Sequence, residues 1–548
     1  MHAAVRVAAA AVVAGCSLPV ENQNLPDRQR LYSDPATMEA SLTGAVRTWI
    51  NARQAGNPTL TLNTMADSYT AAWLNYRIHL YSSEPRPALD NDPTVPGRSS
   101  VVEAYWYGLY AAMSTANDLL LAIRKNGVTL SSPAVTRRAE TVSVMLQGVA
   151  LAMIALNYDS GFVATEETKS EDFDGLPVLS RQQLRDTALA RFEEAIRLAE
   201  ANAFTTPPEW LGAVGGPTYT SAQLAQLMRT MGAEVLALLP RNAAENAQAD
   251  WVRVVSWASR GISGSPSFDF EFITDQPWYQ VGIYDEVKDW GNDITTLRVD
   301  TRLSHLLSPN QANPWPAPNG NPPPVSADRR VGDGSWGPED NYLGMQGFAA
   351  TANAGTDFAW AGEGQIFPAG RGSYHNSNIS RHRYDCATWY SEPPGHCQVP
   401  LYTVAFNDLL WAEGLLRSAG DRTLAATLIN KTRVGRGGLP ALTGAESLEQ
   451  LLSVLQYEQE IEMMDIGAAV FYNRRRVDGL QPFTPRQMPM PYKELDLLKR
   501  ELYTYGGPDH PDMSAPVEAG AGAIRNVREI NREIEAERWR QARQRRRF

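Results

Sequence analysis

Five residues in one stretch carry side chains that hold metals: His375, His382, Cys386, His396 and Cys397. A compact zinc site needs two close ligand pairs, and this spacing supplies none. Cys386 and Cys397 have ten residues between them, which in a chain marked for export fits a disulfide better than a metal site, with free thiols as the remaining reading. Acid–base hydrolysis of a glycoside needs two carboxyl groups at a set separation. Glu166–Glu167 and Asp172/Asp174 are the acidic doublets to consider, but they sit in a polar stretch that reads as a solvated loop. The sequence holds no HExxH, no G-x-S-x-G and no phosphate loop ending in Lys–Ser/Thr. Gly435-Arg436-Gly437-Gly438 is glycine-rich, but it closes a helix instead of following a strand. The residues therefore assign no catalytic group, no metal and no cofactor.

Binding chemistry is better represented. Between about 265 and 400 helical periodicity fades while Gly, Pro, Asn and Trp accumulate, as in NPWPAPNGNPPP and DGSWGPEDNY. A loop-rich insertion this long inside an ordered protein is usually functional. Sugars lay their C–H faces on Trp and Tyr rings while Asn, Asp and Arg meet the hydroxyls, and such rings are stiff and carry a polar handle. Trp278, Tyr279, Trp290, Trp336, Tyr342 and Trp360 are the ring candidates, with Trp315, Tyr374 and Trp389 beside them. The plainer role for each is packing loops onto helices.

Those loops need a scaffold, and the flanking sequence supplies helices. Met38, Leu42, Val46 and Ile50 recur at helical spacing, as do Leu184, Ala188, Phe192, Ala195, Ile196 and Ala199. SAQLAQLMRTMGAEVLALLPRN and ADWVRVVSWASRGISG form another pair split at Pro240. Tyr402 to Pro440 reads as an antiparallel pair broken at Gly420–Asp421, with Ala412, Gly414 and Ala419 as small gaps that let a neighbouring helix approach. SLEQLLSVLQYEQEIEMMDIGAAVFYNRRR returns to helix near the C-terminus. Pairs of this kind resemble tetratricopeptide hairpins, without a strict period.

Bulk properties narrow the class. The 548 residues carry a net charge of −11, which argues against a nucleic-acid surface. No uninterrupted apolar run reaches the ~20 residues that span a bilayer. Arg6, the apolar run Val7 to Val13, and Val13-Ala14-Gly15-Cys16 have the order of a secretory signal with a lipobox, making Cys16 the expected site of lipidation and membrane anchoring. The alternatives are an ordinary signal peptide or an alanine-rich terminus. NVREINREIEAERWRQARQRRRF, near the end, is helix-prone and basic, and reads as a solvated or disordered terminus, with contact to acidic head groups or an acidic partner loop as the other option.

Several segments resemble the SusD/RagB family of nutrient-binding lipoproteins. FNDLLWAEGLL with LINKTRVGRGGLP (406–440) resembles the family's AE-x-L helix and iN-x-(V/T)-R-x-R-(A/G)-G-L-P helix end. Tyr105 to Ile123 is similar to its W-x-x-x-Y-x-x-I-x-x-A-N-x-x-L helix, Asp328-Arg329-Arg330 to its D-x-R signature, and MPMPYKELDLL to its lPIP-x-x-EL. Glu458, Glu462, Gly467 and Arg475 match a further ER-x-x-E helix, whereas Gln459, Ala469 and Tyr472 replace its Arg, Arg and Asp and put its charge network in question.

The resemblance implies an all-α, mostly helical SusD-like fold with tetratricopeptide-like pairs as scaffold. Its parts would be a signal peptide (1–15), a tether (16–35), an N-terminal helical part (36–264), the loop-rich insertion as ligand face (265–400), a C-terminal helical part (401–498) and a tail (499–548). It places Trp73 and Tyr76 near the ligand face. It implies a non-enzymatic, surface-facing outer-membrane lipoprotein that captures an oligosaccharide, or sometimes peptide, and passes it to a SusC-like TonB-dependent transporter. An all-α glycoside hydrolase and a tetratricopeptide-like envelope scaffold are the alternatives.

Overall fold

The structure is a computed structural model that describes residues 34–71, 75–94, 100–275, 283–293, 297–311, 322–331, 355–360, 375–388, 395–509 and 527–545. Its α-helices of eight or more residues are α1 (Pro35–Gln54), α2 (Ser100–Leu120), α3 (Pro133–Asn157), α4 (Arg181–Ala201), α5 (Ser221–Leu238), α6 (Trp251–Ala258), α7 (Val404–Arg417), α8 (Arg422–Arg433), α9 (Leu448–Glu462), α10 (Ala469–Arg476) and α11 (Val527–Arg545). From α1 to α8 each packs on its successor, and α9 closes on α7 and α8. The protein is mostly helical, as expected.

Local chemistry sets where these helices begin. Ser180 with Gln183, Thr220 with Gln223 and Ser447 with Gln450 form reciprocal capping boxes at α4, α5 and α9. Asp34 and Ser132 cap α1 and α3 ahead of a proline. Helix α3 is long and apolar enough to cross a membrane by length and composition, but every residue from Ala139 to Asn157 is buried. It is the central helix of the core, clasped by α2 and α4.

Small residues allow the closest crossings. A Cβ on Gly414 would lie 2.8 Å from Val255 of α6, and one on Gly232 of α5 would lie 2.0 Å from the Trp257 ring of the same helix. The gap expected at Gly414 is thus where α6 meets α7. The α7–α8 break is as read from sequence: Asp421 caps α8 by accepting from the Thr423 and Leu424 amides. The stretch read as helical from Ser447 to Arg476 forms two helices, because Asp465 and Gly467 both take positive φ (67° and 56°) between α9 and α10.

The strands are short: β1 (Tyr69–Ala71), β2 (Ser160–Gly161), β3 (Leu179–Ser180), β4 (Phe270–Thr274), β5 (Leu297–Val299), β6 (Phe358–Trp360), β7 (Ile379–Arg381) and β8 (Cys397–Tyr402). They form antiparallel pairs β1–β5, β2–β3, β4–β8 and β6–β7. The β4–β8 ladder matters most for the insertion. Thr274 faces Cys397 and Phe270 faces Tyr402, so the chain enters and leaves the insertion side by side. A disulfide joins Cys386 to Cys397, with Cα atoms 5.8 Å apart, next to the strand that leads into α7.

The described parts of the presumed tail are docked. Leu89 donates its amide to Tyr505 O at 2.9 Å, and the Tyr503 and Tyr505 hydroxyls both donate to Asp159 Oδ2, at 2.7 and 3.0 Å. Ile530 and Ile534 of α11 are buried, the helix packs on α9, and Arg433 donates to Asn531 Oδ1 at 2.6 Å. The amphipathic spacing of Ile530 and Ile534, not the charge around them, decides this.

Candidate functional site

A layer of buried charges underlies the site. Arg330 is wholly buried and donates to Asp328 (Nη2–Oδ2 2.7 Å), to Glu458 (Nη1–Oε2 2.8 Å) and to Glu462 (Nη1–Oε1 2.8 Å). The Tyr457 hydroxyl donates to Asp328 Oδ2 at 2.7 Å. Arg383 and Arg436 reach Glu462 at 3.0 and 2.9 Å, Arg436 also binds Asp357, and Arg381 spans Asp357 (3.3 Å) and Asp465 (2.9 Å). Tyr69 of β1 donates to Asp465 from the other side.

The insertion is therefore clamped to α9 and to β1 by alternating guanidinium and carboxylate groups. Burial alone would raise the Glu462 carboxyl, but the charges of Arg383, Arg330 and Arg436 overcome it and hold the group down at about 2. Asp357 is pulled below the ordinary carboxylate range in the same way, against its burial, by Arg383, Arg381 and Arg436. These groups are ionised anchors.

Gln459 and Tyr472, which stand where the resemblance expects charged residues, each make a buried hydrogen bond. Gln459 donates to Glu413 Oε2 at 2.9 Å, while Arg476 binds both Glu413 oxygens and Arg417 binds Oε1. The Tyr472 hydroxyl donates to Asn157 Oδ1 at 2.9 Å. Glu413, Asn430 (to Leu442) and Arg433 (to Pro440 O and Asn531) hold helices and loops together.

Above this clamp lies a small sheet-like platform. Ala71 faces Leu297 in the β1–β5 ladder, and Trp360 faces Ile379 in the β6–β7 ladder. An antiparallel bridge, Asp300–Asn376, joins the two ladders, and Ser377 donates its amide and hydroxyl to Val299 O at 3.3 and 2.7 Å. Counting two residues on from Ser377 brings Ile379 level with Leu297. Ala71, Leu297, Ile379 and Trp360 thus share one edge. The described chain stops at Ala71 and Trp360 and resumes at Leu297 there, so segments 72–74, 294–296 and 361–374 all attach to it.

Trp360 is a half-buried ring on this edge. Trp290, also half-buried, sits on the short helix Glu286–Gly291, which packs on β5; its Nε1 donates to the Tyr284 hydroxyl at 3.1 Å, which donates to Asp289 at 2.8 Å. Tyr76 belongs to the 3-10 turn Asn75–Ser82 beside β1, and only its backbone is described. Trp73, Trp278, Tyr279, Trp336 and Tyr342 lie outside the described residues, as do Trp315, Tyr374, Trp389 and Cys16.

The acidic doublets look less like catalysts in three dimensions. Glu166 is buried, not solvated: Arg124 Nη1 and Gln147 Nε2 donate to it at 2.8 and 2.9 Å. Burial would raise its carboxyl, but the hydrogen bonds from Gln147 and Arg124 keep it below the usual range. A group held ionised cannot donate the proton that glycoside cleavage needs. Glu167 pairs with Lys125 at 2.8 Å.

Periodicity could not reveal the perturbed carboxyls. Burial raises Asp385 to about 8 against the opposing charge of Arg381; His382 Nδ1 lies 3.8 Å away, on a ring whose own pKa burial lowers. Burial and the adjacent Asp67 charge raise Asp300 to about 7. Among the described residues no three His, Cys, Asp or Glu side chains form a metal-holding group.

Two grooves lie elsewhere. One of about 690 Å³ runs between the end of α2 and residues 165–173, walled by Leu121, Phe173, Lys125 and Asp118. Another of about 360 Å³ lies between α1, the start of α3 and Trp210. Neither contains a ring named from the sequence.

No protein-family model and no curated protein matches the sequence. Solved structures do match the fold. A SusD superfamily protein from Parabacteroides distasonis superposes with a TM-score of 0.58 at 10% identity, covering 86% of this chain and 99% of that one. A SusD homolog from Bacteroides thetaiotaomicron gives 0.57 at 11%, covering 87% and 98%. A SusD-like carbohydrate binding protein from Bacteroides vulgatus gives 0.53 at 12%, covering 91% and 97%.

Proposed function

We propose, taking the SusD-like fold as premise, that this chain is a lipid-anchored outer-membrane protein. In this reading it captures an oligosaccharide at the edge formed by Ala71, Leu297 and Trp360, and hands it to a SusC-like TonB-dependent transporter. Cys16 would carry the lipid, the body would face outward, and no reaction would be catalysed. The observation that carries the reading is the pairing of two features. Two structures with the SusD-like fold cover 86–87% of this chain and 98–99% of their own length, and segments 72–74, 294–296 and 361–374 attach along one edge. The ion-pair clamp supports it, because it stiffens that edge from below without spending an exposed charge.

The test has two arms. On a glycan array the purified chain is expected to bind a restricted set of oligosaccharides without cleaving them, as judged by chromatography of the recovered glycan. Expressed with its N-terminus intact, it is expected to fractionate with the outer membrane, to lose that association as Cys16→Ser, and to co-purify with a large outer-membrane barrel. Cleavage of the bound glycan would replace the binding reading with a hydrolase. A blank array together with a non-transporter partner would replace it with a scaffold.

A further inference from the structure

Ten arginines are buried among the described residues: Arg53, Arg86, Arg241, Arg298, Arg330, Arg381, Arg433, Arg474, Arg475 and Arg476. Nine of them donate to a carboxylate or main-chain oxygen at 2.9 Å or less. Even those without a carboxylate are well placed: Arg241 caps the end of α3 through Ala155 O (2.9 Å) and Leu156 O, and Arg475 caps α5 through Leu238 O (2.9 Å). Arg298 is the exception. It is 2% exposed, and among the described residues its one hydrogen bond is a long 3.5 Å contact from Nη1 to Ser377 O; its Nε is unpaired, as are those of Arg53, Arg86, Arg241, Arg475 and Arg476, which have short bonds through their other nitrogens.

Its neighbours are in the same condition. Thr70 lies directly opposite Arg298 in the β1–β5 ladder, and its hydroxyl is buried without a partner. On the other side, counting two residues on from the Asp300–Asn376 bridge sets Asn378 level with Arg298; its Oδ1 also has no partner, and neither does either side-chain atom of Asn376. Residues two apart share a face, so Thr70, Arg298 and Asn378 form a row on the face opposite buried Tyr69, Leu297, Val299 and Ile379. That row lies one residue, about 3.3 Å, inside the edge at which segments 72–74, 294–296 and 361–374 attach. Burial alone lowers the Arg298 pKa to about 9, so it stays charged at neutral pH.

We propose that Arg298 receives an anionic substituent, a carboxylate or a sulfate ester, on the oligosaccharide bound at this edge. The Thr70 hydroxyl would donate to the same anion, and the Asn378 amide oxygen would accept from an adjacent sugar hydroxyl. A guanidinium presents a planar fork that matches such oxyanions, and a buried donor left unpaired in the free protein favours a ligand that pairs it. The inference rests on the glycan-binding reading above and adds the charge class of the ligand.

The experiment uses the full chain and an array of uronic-acid, sulfated and neutral oligosaccharides, followed by calorimetry on the best hit and its carboxyl-reduced or desulfated derivative. The expected result is an acidic best hit that loses at least tenfold in affinity when its charge is removed, with binding that weakens as salt rises. Carboxyl-reduced and desulfated arms separate the two anions. Arg298→Gln is expected to abolish the acidic preference and Arg298→Lys to keep part of it, with thermal unfolding as the check on folding; Thr70→Val is the milder variant. A neutral best hit, or an acidic preference that survives Arg298→Gln, overturns the inference and leaves glycan binding standing. Large loss of stability in Arg298→Gln with the acidic preference intact assigns Arg298 to an internal ion pair and also overturns it. Binding of no glycan of any charge removes the broader reading, and this one with it.

Discussion

At the scale of single residues the protein is held by buried ion pairs whose partners are far apart in sequence. Replacing Arg330 by Gln leaves Asp328, Glu458 and Glu462 facing one another without their shared cation. We expect a loss of ~3–5 kcal/mol in urea unfolding. Arg330→Lys should recover little, because one ammonium cannot span three carboxylates. An unchanged midpoint in either variant would show that the cluster does not hold the insertion. The same pairs give a pH signature. Glu462 and Glu413 are both held at about 2, despite burial, by neighbouring arginines. Their stabilisation is therefore complete above the unfolded glutamate value of about 4.3 and is lost as pH falls toward 2. Melting temperature should drop steeply between those values, and Glu413→Gln should flatten the slope. Asp300 works the other way: its raised carboxyl binds a proton in the folded state up to about 7, so it destabilises as pH rises from about 4 to 7. Asp300→Asn, which keeps the acceptor for the Arg302 amide, should raise the melting temperature at pH 8 and leave it unchanged near pH 4. Glu458, Glu462 and the Asp328–Arg330 doublet could be named from sequence. That they meet could not, because periodicity encodes neighbours three or four residues away and Arg330 lies 128 residues from Glu458.

At the scale of elements, the helices were the legible part. Apolar spacing placed α1, α4, α5, α7 and α8 close to where they occur, helped for α7 and α8 by the glycines that stop them, since those signals act within one or two turns. The break between α9 and α10 was missed. Nothing in MMDIGAA forbids a helix, and the turn is instead held by Asp465 binding Arg381 and Tyr69, which is tertiary override of a local preference. Close crossings give the sharpest test of the packing. Gly232→Val puts a branched side chain into the Trp257 ring, and we expect ~2–3 kcal/mol of destabilisation by thermal unfolding. A neutral outcome would mean that α5 and α6 do not approach as closely as described. The strands of the insertion gave no usable period, because β5, β6 and β7 are three residues each, too short for alternation to show.

At the scale of the whole molecule, one core runs from α1 to α11, and even the basic C-terminal helix is tied to it. Removing residues 527–548 should uncover the α9 surface that Ile530 and Ile534 cover. Hydrogen exchange of α9 amides should then rise while that of α3 stays unchanged; identical exchange in α9 would show that the helix is not docked in solution. The expected N-terminal export signal and the ring-bearing loops belong to a different class of feature. Their reading comes from composition and family resemblance, and residues such as Cys16, Trp73 and Trp336 lie outside the described residues.

The β4–β8 ladder has a consequence for engineering. Because Thr274 and Cys397 are cross-strand neighbours, the 122 intervening positions form a cassette whose two ends are one strand spacing apart, about 4.8 Å. A loop set from another protein could be spliced between them without altering the path of any long helix. The graft would need to keep the groups that dock on the host, among them Asp328, Arg330, Asp357, Arg381 and Arg383, and Asp285, Lys288 and Arg302, which meet Gln54, Asp465 O and Asp67. The buried residues of β5 and of the segments around it, such as Val287, Val299, Leu303 and Leu307, belong to the common core and would have to be kept as well.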